Sequence, residues 1–265
     1  MPVAPTRADV IDFDCAIEAF VRGFAFTRSF THPYLPRRVG RLWVVRDAPR
    51  TNAADYRREE WIAWGVEPAE VDRLARRGAR GHYCVCAFRA AGEDDAALRA
   101  AYKSLGYRLQ CTEPFMAHRL RRVPKLAEPY PIVRVTNSEL ADRLAKAARA
   151  RQVLPEHFGD GSPLWQYAAL DGDRPVGWVR SILVESGAGP AAWVSNMFVA
   201  PAYRRRGIGR SMLARMLRDD RGRGAARSVL LSSHTGAMLY PHVGYEPLGE
   251  LLIYTPKRDA RLTRT

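Results

Sequence analysis

Lysine is nearly missing from this chain. Only Lys103, Lys125, Lys146 and Lys257 occur, so the formal charge of +14 is carried almost wholly by arginine. A GC-rich genome produces that skew without selection for any partner. The arginines form short clusters at 37–38, 76–77, 121–122 and 204–206, and they are not interleaved with aromatics as a single-strand stacking platform requires. A nucleic-acid partner, which such charge would attract through its phosphates, is therefore the weaker alternative. Cysteine is also scarce. Cys15, Cys84, Cys86 and Cys111 make no disulfide framework, and Cys84-x-Cys86 lacks a second pair at metal spacing, so reduced core cysteines and no metal site are expected. No apolar run approaches the roughly 18 residues of a membrane span. Residues 1–14 include acidic side chains where a signal peptide has its apolar core, so the expected address is cytoplasmic, with no membrane partner. Two phosphate-loop signatures are absent as well: there is no Gly-x-x-x-x-Gly-Lys-Ser/Thr, and no Gly-x-Gly-x-x-Gly followed by an acidic residue at the right distance.

What remains is a chain of 265 residues with 47% hydrophobic content, enough for one large or two modest packed domains. Periodicity and turn residues predict a helix over 8–24, a loop forced by Pro33 and Pro36, and a strand over 40–46. A helix over 68–77, a strand over 82–88, a helix over 94–105 and a strand over 108–120 follow. The proline-rich stretch 123–131 reads as a linker, which divides the chain into domains 1–128 and 129–265. In the second domain the pattern is a short strand at 132–135 and a helix to about 150 capped by Asn137. Next come a hairpin of 165–170 with 175–186 across Asp171-Gly172-Asp173, and a strand over 191–199. A helix beginning near Ile208, a strand over 228–232, a short helix over 235–243 and a last strand over 248–256 complete it.

The most informative segment lies between the 191–199 strand and the helix after it: Pro201-Ala202-Tyr203-Arg204-Arg205-Arg206-Gly207-Ile208-Gly209-Arg210. A helix N-terminus presents unpaired amides and partial positive charge, and glycines let the main chain approach an anion closely, so this is a place to grip a phosphate. Downstream, Tyr240-Pro241-His242-Val243-Gly244-Tyr245 puts one tyrosine at a helix end closed by glycine and another at the start of a strand. With Val199-x-Pro201 and Arg204-x-x-Gly207-x-Gly209, this arrangement resembles the GCN5-related N-acetyltransferase (GNAT) superfamily over about 131–265.

The resemblance implies a mixed, mostly antiparallel twisted sheet flanked by helices, and transfer of an acetyl group from acetyl-CoA to a primary amine, on a small molecule or peptide, by direct attack. It implies that the amides of Arg205, Arg206, Gly207, Ile208, Gly209 and Arg210 hold the pyrophosphate, with the Arg204 to Arg206 side chains near coenzyme phosphates or in solvent. The main chain at Phe198 and Val199 would align the pantetheine and polarise the thioester carbonyl. Tyr240 would hydrogen-bond the sulfur and protonate the departing thiolate. In one respect the chain departs from the family, many members of which carry a glutamate on the strand entering the loop. Trp193, Ser195 and Met197 stand on one face here, Val194 and Asn196 on the other, with no carboxylate. A base must come from Glu185, ranked first, or from Glu156, His157 or a water chain touching Ser195. His234 could shuttle a proton, cap its helix or face solvent.

The first half echoes the second. Tyr102-Lys103-Ser104-Leu105-Gly106-Tyr107 repeats the spacing of Tyr240 to Tyr245, and a strand follows each, which suggests an internal duplication. Leu42 to Pro49 would correspond to the strand ending at Pro201, with 51–55 in place of the glycine loop. The first domain would then be a degenerate acetyltransferase-like copy that has lost the cofactor site, the alternative being an unrelated α/β cap. Two other readings stay open: a CoA-binding regulatory protein without turnover, and an acyltransferase acting on an RNA-linked amine.

Overall fold

The computed structural model describes residues 11–257. Positions 8–10, the start of the first expected helix, lie outside the described residues. In chain order the elements are α1 (Phe13–Arg28), β1 (Tyr34–Val39), β2 (Leu42–Asp47), β3 (Glu59–Ala63), α2 (Pro68–Gly78), β4 (Tyr83–Ala90), α3 (Ala96–Ser104) and β5 (Tyr107–His118). They continue with β6 (Ile132–Arg134), α4 (Ser138–Ala148), β7 (Leu164–Asp171), β8 (Arg174–Ser186), β9 (Gly189–Val199), α5 (Ile208–Gly222), β10 (Arg227–Leu231), α6 (His234–Ala237) and β11 (Glu246–Pro256). Two compact units result. An N-terminal unit comprises 25–115 with 248–257, and a C-terminal unit comprises 11–24 with 116–247.

This division differs from the expected break after residue 128. The stretch 123–131 is irregular, as its prolines require, but it belongs to the C-terminal unit because arginines of α5 fasten it: Arg218 donates to the Pro124 carbonyl at 2.9 Å, and Arg215 lies 3.5 Å from Glu128. The chain ends also trade places. β11 pairs antiparallel with β4 of the N-terminal unit, Leu252 opposite Ala87. The first part of α1 packs in the C-terminal unit, where Phe20 and Trp193 meet with ring centroids 5.1 Å apart. Gly23 makes that packing feasible, since a Cβ there would fall 2.3 Å from Trp193 Cβ.

Within the C-terminal unit β6, β7, β8 and β9 run antiparallel, and β10 then pairs parallel with β9. A parallel neighbour requires a crossover, and α5 is that crossover. Its Met212, Leu213, Met216 and Leu217 are fully buried in a core shared with Val176, Val179, Ala192 and Val194 of the sheet. Asn137 caps α4 as expected, its side chain accepting the Leu140 amide at 2.9 Å.

The N-terminal unit repeats the plan. β1, β2 and β3 are antiparallel, and β4 pairs parallel with β3 through the crossover α2. α3 follows, with fully buried Tyr102 near its end. A mostly antiparallel mixed sheet flanked by helices thus occurs twice. The correspondence corrects one expectation: the counterpart of the β9–α5 loop is the β3–α2 loop, not 51–55. There Gly65 is present at φ +59°, but Glu67 is the N-cap and Glu70 lies in the first turn of α2. Glu67 makes no side-chain cap hydrogen bond and both glutamates are exposed, but their negative charge at this helix start disfavours an anion there.

Candidate active site

β9 is regular up to Ser195, which lies opposite Arg180, and then slips: the next register pair is Phe198 with Trp178, so β9 spends one residue more than β8. The extra residue is accommodated at Asn196, whose φ is +55°. Such a bulge bends the strand and breaks its ladder locally. Phe198 beyond it stacks on Trp178, with centroids 4.4 Å apart. Beside the bulged end opens a cleft of about 830 Å³, walled by the end of β9, the glycine loop with the start of α5, the end of β10 and the segment through α6 to Tyr240 and His242.

The loop is built for close approach to its backbone. A short 3-10 turn at Pro201–Tyr203 ends β9, and Arg205 (φ +64°) and Gly207 (φ +82°) then both take left-handed conformations. Gly207 is the N-cap of α5 and offers no side-chain cap. The first amides of α5 therefore have no acceptor from the cap, and alternation of the backbone in this way makes a concave nest of N–H groups. Phe198, Val199, Arg204, Arg205, Gly207, Ile208, Gly209 and Arg210 all line the cleft. Arg206 does not join its wall: its guanidinium donates to the Tyr130 hydroxyl at 3.0 Å. Arg204 turns back on β9, its Nε donating to the Val199 carbonyl at 3.0 Å.

Tyr240 stands on the opposite wall. The expected helix over 235–243 is instead α6, capped by Ser233 rather than His234, and a separate 3-10 turn, Tyr240–Val243. Pro241, with no N–H to donate and a ring that crowds the preceding turn, accounts for the break. The Tyr240 side chain is buried, edge-on to Tyr245 at 5.6 Å, and burial pushes its hydroxyl up to about 12. Tyr245 is anchored by its hydroxyl, 2.7 Å from Ser228 Oγ.

Glu185 is not brought to the cleft. It pairs with Pro190 at the far end of the β8–β9 hairpin, well up the strand from Ser195. Glu156, His157 and His234 are likewise not among the lining residues, and no lining residue is a carboxylate. The cleft does contain an imidazole that the sequence reading passed over, His242, two residues beyond Tyr240 in the same turn. Behind the bulge lies a polar cluster, also unforeseen. Arg180 Nε donates to Ser195 Oγ at 3.0 Å and its Nη1 to the Gln152 carbonyl at 3.3 Å, while Asn196 bonds the Gln152 side chain. Burial lowers the Arg180 guanidinium to about 10. The signal for this cluster was the polar pair Ser195-Asn196 inside an otherwise apolar strand.

The model of the acetyltransferase (GNAT) domain matches residues 164–247. A GCN5-related N-acetyltransferase from Kribbella flavida is similar in structure, at 16% identity over 94% of this chain and 98% of that one, with a TM-score of 0.66. A GCN5-related N-acetyltransferase from Sphaerobacter thermophilus is 17% identical over 83% of this chain and 78% of that one, with a TM-score of 0.54. A tandem GNAT protein from the clavulanic acid biosynthesis pathway is 15% identical over 94% and 97%, with a TM-score of 0.51. Curated protein sequences give no match. The bulged strand and the uncapped glycine loop lie within the segment, residues 164–247, that matches the acetyltransferase (GNAT) domain model, and the solved structures share the fold of this chain.

Proposed function

We propose that the C-terminal unit is an acyl-CoA-dependent N-acetyltransferase that uses acetyl-CoA and a primary amine. One observation carries this reading: Arg205 and Gly207 to Arg210 of the left-handed glycine loop and the buried Tyr240 line one cleft at a bulged strand end. Bound acetyl-CoA would supply a thioester activated towards amines. The amides of Arg205, Arg206, Gly207, Ile208, Gly209 and Arg210 would hold its pyrophosphate, since charge and geometry there favour an anion. The main chain at Phe198 and Val199 would orient the pantetheine and donate to the thioester carbonyl, with Arg204 fixing the Val199 carbonyl.

Tyr240 would donate a hydrogen bond to the sulfur. With its hydroxyl near 12 and a free thiol near 8.5, complete proton transfer to an unperturbed thiolate is uphill by roughly 5 kcal/mol. Burial of the thiolate in the same cleft narrows that gap. Tyr240 therefore acts chiefly by stabilising charge on sulfur as the C–S bond breaks. With no carboxylate on the wall, the proton from the attacking amine passes to His242 or to water.

The test is thiol release from acetyl-CoA across a panel of primary amines. Acetylation of at least one amine, detected by mass, supports the reading. Tight coenzyme A binding with no amine ever acetylated overturns it in favour of a binding protein.

A further inference from the structure

The N-terminal unit carries a second pocket, of about 300 Å³, lined by Arg99 and Lys103 of α3, Tyr107, Arg108 and Leu109 at the start of β5, and Tyr254 and Lys257 at the end of β11. Four of its seven lining residues are cationic and none is acidic. Arg99 is partly neutralised by Asp95, 2.6 Å away and outside the wall. A second observation concerns Tyr254. It is only 1% exposed, and among the described residues its hydroxyl has no hydrogen-bond partner. The other tyrosine of the wall is already engaged: Tyr107 donates to Asp72 Oδ1 at 2.8 Å and meets the Tyr83 hydroxyl at 3.1 Å. A buried hydroxyl without a partner is rare in folded proteins and marks a place where an acceptor is expected.

We propose that this pocket is a phosphate-binding site, taking the dianion of inorganic phosphate or of a small phosphate monoester. Lys103, Arg108 and Lys257 supply charge-assisted donors, and Tyr254 supplies a further donor. Tyr107 and Leu109 offer an apolar wall for the organic part of an ester. The site is separate from the coenzyme cleft and does not depend on the reaction proposed there.

The test is an amide NMR titration of the full chain with inorganic phosphate and with phenyl phosphate, at constant ionic strength. Saturable shifts at residues 99–109 and 254–257 are expected. They should be lost in Lys103→Glu/Arg108→Glu, two exposed substitutions, while shifts at 204–210 persist. Tyr254→Phe should weaken phosphate severalfold while raising the melting temperature of the free protein, because it removes an unpaired buried group. Tighter binding of phenyl phosphate assigns the site to a monoester, and equal binding assigns it to free phosphate. Shifts confined to 204–210, or reproduced in full by chloride, would overturn the proposal.

Discussion

Tyr240 shows how far a residue can be read from sequence. Its spacing to Gly244 and Tyr245 marked it, but the buried environment that lifts its hydroxyl to about 12 is tertiary. If it acts on sulfur, Tyr240→Phe should lower kcat by about 10- to 100-fold, within the range of a positioned proton donor, and change the Kd for coenzyme A less than threefold. Stopped-assay kinetics with calorimetry would check both. A second residue, Asp220 on α5, drew no attention in the sequence because the pair Asp219-Asp220 among the arginines of an amphipathic helix looks solvated. It is fully buried, with Ser181 Oγ donating to both carboxyl oxygens at 2.8 Å. Burial pushes its carboxyl up from 3.8 to about 7, with Ser181 and then Arg223 opposing. The folded state thus binds this proton more tightly than the unfolded chain, so the stability it contributes is fully present below about pH 4 and lost as pH rises through 7. Urea unfolding at about pH 5.5 and pH 8 should show wild type losing stability relative to Asp220→Asn by a few kcal/mol at the higher pH. An unchanged difference would show that Asp220 does not titrate in this range.

At the scale of elements, hydrophobic period and turn residues were sufficient for α2, β4, α3, β7, β8, β9 and α5, and the reasons for the failures are physical. Pro36 argued against a strand at 34–39, but β1 pairs only with β2 at the sheet edge, where a missing N–H can face outward. β3, which the sequence pattern did not mark, opens on the charged pair Glu59-Glu60. Both are buried, Glu59 accepting from Arg80 Nε at 3.0 Å and Glu60 from the Tyr34 hydroxyl. Isolated patterns cannot show that partners will arrive from other strands. The glycine loop was legible because its constraint is local: Gly207 at φ +82° is a conformation in which a β-branched side chain is strained. Gly207→Val should weaken coenzyme A at least tenfold while costing about 1–2 kcal/mol of stability, measured by calorimetry and thermal unfolding. Weakening no greater than that of a distant control substitution would deny the loop its role.

The whole chain was read correctly as a repeated architecture and incorrectly as a serial one. Internal similarity exposes a duplication, but which unit a terminal strand joins depends on hydrogen bonds that leave no local mark. β11 follows the Tyr240 turn in sequence, yet it pairs with β4. Residues 1–128 expressed alone would lack that partner for β4, leaving an unpaired edge and an open core around Leu252 and Tyr254, both buried in the N-terminal unit. That fragment should bind hydrophobic dyes and unfold without cooperativity, whereas a cooperative transition would show that β11 is dispensable. The repeated plan also bears on ligand number: neither α5 nor α2 has a side-chain cap, but the loop before α5 is glycine-rich with no acidic residue in the first turn of the helix, while its counterpart before α2 carries Glu67 and Glu70. Calorimetric titration of the full chain with coenzyme A tests the central claim most directly. One equivalent per chain, abolished or strongly weakened by Gly207→Val, is the expected result. No binding, or two equivalents of similar affinity, would contradict it.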